Sequence, residues 1–212
     1  MEIELKYRLN EEREGLEIFQ DFKEKLLIID GTIRDERLYS IYYDTIDKQL
    51  EKNLAAFRIR KNGKEYEATL KWGGGASQGL HERKEVNLPI ENESFQVNPD
   101  IGVFKNIEPH IEILDNVTGQ LVKTVETDFN RLSWRIQDGN ALMEFCFDRG
   151  KIVSGNLTDP IMELEVELIE GDKSKLESYG AKLANRYGLE PELHSKYERG
   201  LCLKEINNLG GK

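Results

Sequence analysis

The sequence predicts a mainly β, α+β fold in which one antiparallel sheet curls or closes on itself. Three observations carry this. Nine segments alternate with a two-residue period, and glycine-rich turn signals separate several of them, at Gly63, at Gly73-Gly74-Gly75 and at Asp138-Gly139-Asn140. Only three stretches have helical periodicity.

In chain order, the first strand spans Glu2 to Arg8. A helix follows from Glu11 to Leu26, with Asn10 as its N-cap and Leu16, Phe19, Phe22 and Leu26 along one face. Strands are predicted at Leu38 to Asp44, Phe57 to Lys61, Glu65 to Trp72 and Arg83 to Pro89. Asn92 to Gly119 shows no clear period and is read as a short helix or an excursion between strands. Four more strands follow: Thr124 to Gln137, Leu142 to Asp148, Lys151 to Ser154 and Ile161 to Ile169. A second helix runs from Lys173 to Tyr187, with Leu176, Leu183 and Tyr187 on one stripe and Gly188 as its stop. A short third helix, about Glu192 to Leu203, closes the domain. Residues 1–205 form one domain and 206–212 a frayed tail.

Successive side chains on a strand face opposite ways, and here that alternation sorts charge from hydrocarbon. Glu2, Glu4 and Lys6 oppose Ile3, Leu5 and Tyr7; Arg58 and Arg60 oppose Phe57 and Ile59. Thr69 and Lys71 oppose Leu70 and Trp72, and Arg83, Glu85 and Asn87 oppose Val86 and Leu88. Arg131, Ser133 and Arg135 oppose Leu132, Trp134 and Ile136, which sends Trp134 outside, under a helix. Glu144, Cys146 and Asp148 oppose Met143, Phe145 and Phe147, and Glu163, Glu165 and Glu167 oppose Leu164, Val166 and Leu168.

One reading of that pattern is a sheet with its charged face in water. Carboxylates about 7 Å apart repel by only about 0.6 kcal/mol in water, against about 2.4 kcal/mol at the effective dielectric of an enclosed site. The solvated reading leaves the segregation of sign unexplained. Arg58 and Arg60 form a positive pair and the three glutamates a negative cluster, whereas surfaces built for solubility intersperse the two. Clustered arginines suit phosphate, and clustered carboxylates suit a divalent cation. A closed sheet would face the two clusters across a polar lumen.

Composition sets outer bounds. Of 212 residues, 38% are hydrophobic and 33% charged, and 40 acidic against 30 basic residues give a net charge of −10. That balance argues against a general nucleic-acid or anionic-membrane partner. No apolar run approaches the roughly 20 residues of a membrane span, and the chain opens without a signal-peptide pattern, so the expected location is cytoplasmic. Cys146 and Cys202 are read as packing residues, and His81, His110 and His194 lack zinc-ligand spacing. Gly73-Gly74-Gly75 has no following Lys-Ser/Thr and is a hairpin rather than a phosphate loop. His81, at the end of that hairpin, is read as a surface or rim histidine. Nothing in the sequence specifies an oligomeric state.

The motif Glu2-x-Glu4-x-Lys6 resembles the N-terminal signature of the CYTH superfamily, the triphosphate tunnel metalloenzymes. Its support is an ordered series: Tyr42-Tyr43-Asp44-Thr45, Arg58-Ile59-Arg60, Thr69-Leu70-Lys71, Leu80-His81-Glu82-Arg83, Thr127-Asp128-Phe129-x-Arg131-x-x-Trp134, Phe147-Asp148-x-Gly150, Pro160 to Glu167, and Ser195-Lys196-x-x-Arg199-Gly200. The order is most similar to the bacterial inorganic triphosphatases. The resemblance implies a closed eight-stranded antiparallel β-barrel tunnel with helices packed outside. It implies metal-dependent hydrolysis of tripolyphosphate to pyrophosphate and phosphate in the lumen. Thiamine triphosphatase, a class IV type adenylate cyclase and a noncatalytic polyphosphate-binding module are the alternatives.

On this reading Lys6, Arg58, Arg60, Lys71, Arg83, Arg131 and Lys196 clamp the substrate, because guanidinium pairs bidentately with phosphate and ammonium acts as a movable point charge. Arg135 shares their face but has no match in the motif series. Glu2, Glu4, Asp148, Glu163, Glu165 and Glu167 are the expected ligands for Mg2+ or Mn2+, hard cations that take oxygen donors. The proton of the attacking water goes to a carboxylate, Glu2 or Glu4, or to a Lys6–Tyr42 pair. Tyr42 reads equally as a barrel aromatic whose hydroxyl satisfies a neighbour.

Overall fold

The computed structural model describes residues 1–91, 94–107 and 109–210, with residues 94–95 and 205–210 described by backbone alone. Eight strands form the wall: β1 (Glu2–Arg8), β2 (Arg34–Thr45), β3 (Ala55–Asn62), β4 (Glu65–Ser77), β5 (Leu80–Ile90), β6 (Leu121–Asp138), β7 (Ala141–Ser154) and β8 (Leu157–Glu170). They run in the order β5-β4-β3-β2-β6-β7-β8-β1, and β1 pairs antiparallel with β5 to close the barrel. Closure leaves no free edge along the wall. A two-residue strand, β9 (Glu190–Pro191), adds to β1.

The strands are longer than their alternation suggests. The two segments expected at Leu142 to Asp148 and Lys151 to Ser154 are one strand, β7, which runs through Gly150. A Cβ on Gly150 would lie 2.3 Å from the Asp128 carbonyl, so glycine is what allows the ladder to continue there.

Helix α1 (Glu12–Glu24) and helix α4 (Lys173–Tyr187) cover the outer face of β1, β7 and β8. Their core with the wall includes Leu5, Ile18, Phe22, Trp134, Phe145, Phe147, Leu164 and Leu176. Trp134 is buried outside the barrel as expected, with its ring against Phe19, Phe22 and Phe145. Two expectations for α1 are corrected. Its N-cap is Glu11, and the preceding turn is held by Glu14, whose carboxylate accepts from the Asn10 backbone N–H at 2.8 Å. Its buried stripe is Gly15, Ile18 and Phe22, while Leu16 is exposed and Leu26, past the helix end at φ 54°, is 89% exposed. The face is set by Gly15, which lies against the Phe147 ring so closely that a Cβ would approach to 2.4 Å.

A second outer core covers β2 to β5. The segment between β5 and β6 contributes the helical turn α3 (Ser94–Val97) and two 3-10 turns, Ile101–Phe104 and Glu112–Asn116, which bring Phe104, Ile111 and Leu114 onto Phe57 and Ile59. Of the excursion expected at Asn92 to Gly119, residues 92, 93 and 108 lie outside the described residues. Asp44 is structural: its carboxylate accepts from the backbone N–H groups of Leu50 and Glu51 and so seats the short helix α2 (Gln49–Lys52).

The last helix, α5 (Lys196–Gly210), departs from the expectation that helices pack outside. It lies against the inward face of the wall, where Leu38, Tyr42, Val125, Phe129, Ile152 and Ile161 gather around Tyr197 and Leu201. Gly200 permits this, since a Cβ there would meet Val125 Cγ1 at 2.3 Å. The helix continues through residues 206–210, the stretch that reads as a frayed tail in the sequence.

Candidate active site

Alternation and closure together put the charged faces inside. The lumen cavity, about 80 Å3, is lined by Glu2, Glu4, Lys6, Tyr42, Arg58, Arg60, Lys71, Arg83, Arg131, Glu165, Glu167 and Lys196, all expected there from the sequence. It is also lined by Cys146, which alternation puts on the same face although it was read as a packing residue, and by His81, Ser195 and Tyr197, which were not expected there.

Three electrostatic zones make up the lumen. In the first, carboxylates are saturated by protein cations. Glu165 Oε1 accepts from Lys6 Nζ at 2.9 Å and from Lys196 Nζ at 2.8 Å, and its Oε2 from Arg131 Nη2 at 2.6 Å. Burial alone would raise Glu165, but Lys196, Lys6 and Arg131 outweigh it and hold the carboxylate well below its ordinary range. Lys6 is raised well above its ordinary value despite burial, because Glu165, Glu4 and Glu163 surround it. Asp148 and Glu163, expected as metal ligands, are fully buried outside the cavity lining. Asp148 takes a bidentate pair from Arg131 at 2.7 Å, and Lys196 sits 2.8 Å from Asp148 and 2.7 Å from Glu163. Arg199 caps the other oxygen of Glu163. These oxygens are occupied by ammonium and guanidinium, so Asp148 and Glu163, like Glu165, are paired with the protein's own cations.

The second zone has too many carboxylates for its cations. Lys71 bridges Glu2 at 2.7 Å and Glu85 at 2.9 Å, and Glu4 and Glu167 lie beside them. Burial, only partly offset by Lys71 and reinforced by Glu4 and Glu85, pushes Glu2 up to about 7. Burial and the charges of Glu2, Glu4 and Glu85 push Glu167 to about 7 as well. Glu85 goes the other way, to about 2, because Lys71 and Arg58 outweigh its burial. This all-oxygen donor set, short of positive charge, fits a hard divalent cation. Among the described residues no three metal-ligating side chains are already gathered to hold one, so Glu2, Glu4 and Glu167 would close on an ion.

The third zone has too many cations. Arg58 reaches Glu85 only at 4.0 Å, and among the described residues its buried Nε has no hydrogen-bond partner. Arg60 donates to the Ser40 hydroxyl at 3.2 Å. Burial and the neighbouring charges of Arg58 and Arg131 lower Arg60 to about 10. Burial would raise the Tyr42 phenol, yet Arg58 and Arg60 outweigh it and hold it below its ordinary value. A cluster of guanidinium groups with few close anions of its own is a seat for an oxyanion.

Arg83 stands at the cavity edge, 3.1 Å from Glu198 of α5. Arg135 pairs with Glu144 at 2.8 Å and is not part of the cavity lining. His81 is corrected from the surface to the interior: it is 2% exposed, with Nε2 2.9 Å from the Glu192 carbonyl oxygen. Burial and the charge of Lys6 hold its imidazole below its ordinary value. The signal that could have placed His81 is register, since it sits opposite Glu4 on the closing strand pair.

The fold and lumen define a class, closed antiparallel barrels whose interior is charged and whose apolar faces point outward. The chain belongs to the CYTH family: the CYTH domain model matches residues 1–201. It is 33% identical over 202 residues to an inorganic triphosphatase of Haemophilus influenzae, an alignment that covers 95% of this chain and 54% of the relative. This chain therefore spans about half the length of that curated relative. Among solved structures, the fold matches HpAC1 from Hippeastrum, for which a dominant triphosphatase activity is described, with a TM-score of 0.70 at 18% identity over 98% of this chain and 96% of that one. It also matches the RNA triphosphatase domain of a mimivirus mRNA capping enzyme, with a TM-score of 0.55 at 14% identity over 88% of each chain. Among the described residues no helix is long and apolar enough to cross a membrane.

Proposed function

We propose that this chain is a metal-dependent triphosphatase that splits inorganic tripolyphosphate into pyrophosphate and phosphate inside the barrel, in the cytoplasm. The observation that carries the reading is the split of the lumen into a cation-rich zone around Arg58 and Arg60 and a carboxylate-rich zone around Glu2 and Glu167. Each zone lacks what a metal–triphosphate complex brings. The inorganic triphosphatase name of the Haemophilus influenzae relative supports the same substrate.

Arg58 and Arg60 would take phosphate oxygens bidentately, and Lys6 and Lys196, already converged on Glu165, would turn part of their charge toward the phosphate chain. A magnesium or manganese ion on Glu2, Glu4 and Glu167 would supply Lewis-acid charge and a more acidic water. Fixed cations facing the leaving pyrophosphate stabilise the charge that builds on it. The water's proton would pass to a carboxylate, Glu2 or Glu4, or to a Lys6–Tyr42 pair with Tyr42 in the phenolate form that its arginines favour.

The test is release of phosphate from tripolyphosphate, ATP and thiamine triphosphate, with and without magnesium or manganese. Metal-dependent release that is fastest with tripolyphosphate is the expected result. A strict requirement for the adenine or thiamine moiety would transfer the reading to an organic triphosphate. No metal-dependent release from any of the three would sink it.

A further inference from the structure

The backbone contacts behind the two lysines of Glu165 are as specific as their head groups. The Lys6 carbonyl accepts from the Glu192 N–H at 2.9 Å, and the Lys6 N–H donates to the Gly79 carbonyl at 2.8 Å. Glu192 is itself buried and fixed on three sides. Its carboxylate accepts from Arg8 Nε and from the His194 backbone N–H, each at 3.0 Å, and its carbonyl receives His81 Nε2 at 2.9 Å. A carbonyl oxygen only accepts, so His81 carries a proton on Nε2. Four residues beyond Glu192 stands Lys196. One residue outside the barrel wall thus ties β1, which carries Lys6, to the approach to α5, which carries Lys196, and His81 on β5 holds that residue from inside.

Two ammonium groups on one carboxylate oxygen repel each other, and Glu165 balances them together with Glu4 beside Lys6 and with Asp148 and Glu163 beside Lys196. A polyanion in the lumen competes with Glu165 for both, so in the loaded site their spacing depends on where their backbones are held. We infer that His81, through its hydrogen bond to the Glu192 carbonyl, is a positioning residue that sets the spacing of Lys6 and Lys196 against a bound triphosphate. The inference rests on the triphosphatase reading for its ligand. Misplacement of a charged group by about 1 Å is enough to cost on the order of 100-fold in rate.

The experiment compares His81→Ala, which removes the donor, with His81→Gln, which keeps an N–H at a similar reach. Each is made in the wild-type chain and in a Lys6→Ala/Lys196→Ala background. Two quantities are read: kcat/KM for tripolyphosphate with magnesium, and calorimetric affinity for tripolyphosphate without metal. His81→Ala should lower both at least tenfold, His81→Gln should restore both to within threefold of wild type, and His81→Ala should change affinity less than twofold in the lysine-free background. If the alanine variant fails to fold, His81→Phe, which keeps a ring and drops the donor, takes its place. Retention of affinity and turnover within twofold by the donor-free variant would overturn the inference. So would a glutamine variant as impaired as alanine, or a penalty undiminished without the lysines. A wild-type protein that binds tripolyphosphate without turning it over would sink the hydrolase reading alone, leaving the affinity series to decide this one. A wild-type protein that neither binds nor hydrolyses it would overturn both.

Discussion

The rings of Tyr42 and Tyr197 stack at 5.0 Å and 18°, joining the lumen wall to the helix that enters the barrel. Tyr42 faces the arginines, whereas Tyr197 packs into the apolar cluster at the base of α5, and among the described residues its buried hydroxyl has no hydrogen-bond partner of normal geometry. Tyr197→Ala should destabilise the fold by about 3 kcal/mol through loss of packing, and Tyr197→Phe by less than about 0.5 kcal/mol. Urea denaturation checks both. Tyr42→Phe should keep the fold and lower turnover, and equal activity in Tyr42→Phe and wild type would remove the phenol from the chemistry.

Carboxylates in the two zones should respond oppositely to neutralisation. Glu163→Gln leaves Lys196 and Arg199 short of a buried counter-ion and should cost about 3 to 5 kcal/mol of stability. Glu2→Gln removes one of several crowded negative charges, so stability should hold or rise while metal affinity falls at least tenfold. Denaturation midpoints read the first effect and isothermal titration with manganese the second.

The cation-rich zone predicts stabilisation by anion alone. Tripolyphosphate without metal should raise the thermal midpoint, by about 2.7 kcal/mol equivalent at a hundredfold excess over its Kd. Arg60→Ala should abolish most of that gain. A shift that survives in Arg60→Ala would place the anion elsewhere.

Stability should also depend on pH in a direction set by the carboxylate-rich zone. Glu2 and Glu167 rise from 4.5 unfolded to about 7 folded, so the native state holds more protons than the unfolded chain between those values. Their contribution is fully present below about 4.5 and is lost as pH rises through about 7. His81, lowered from 6.5, acts oppositely, because the unfolded imidazole takes up a proton that the native one resists. In metal-free buffer the midpoint should therefore fall between pH 5 and 8. The fall should be steeper in His81→Gln and shallower in Glu2→Gln. A wild-type midpoint that rises over this range would contradict the assignment.

Much of the lumen was legible from two-residue alternation alone, because a strand cannot hide which of its side chains share a face. Glu2, Glu4 and Lys6 on β1, Arg58 and Arg60 on β3, and Glu165 and Glu167 on β8 were placed this way, and all seven line the cavity. Alternation does not report charge balance. Glu163 and Glu165 share a face with Glu167 in sequence, yet Lys196 and Arg199, arriving from α5, pair with the first two and leave Glu167 among other carboxylates. It is equally silent about a helix inside a barrel, since the small Gly200 and the partner faces of β6 and β7 are recognisable only once the wall has closed. His81 was misplaced for a related reason: its neighbours Glu192 and Lys6 are 111 and 75 residues away in sequence.

The closing strand is also the first of the nine in sequence order. β1 finds its partners in β5, β8 and β9: Glu2 and Glu4 face Arg83 and His81 of β5, and Glu4 meets Glu167 of β8 only 163 positions further on. Pairings this distant slow folding, because loop closure comes before the contacts that repay it. The wall that encloses the arginine pair and the carboxylates together is therefore finished only when β8 reaches back to β1 across 155 to 163 positions of sequence.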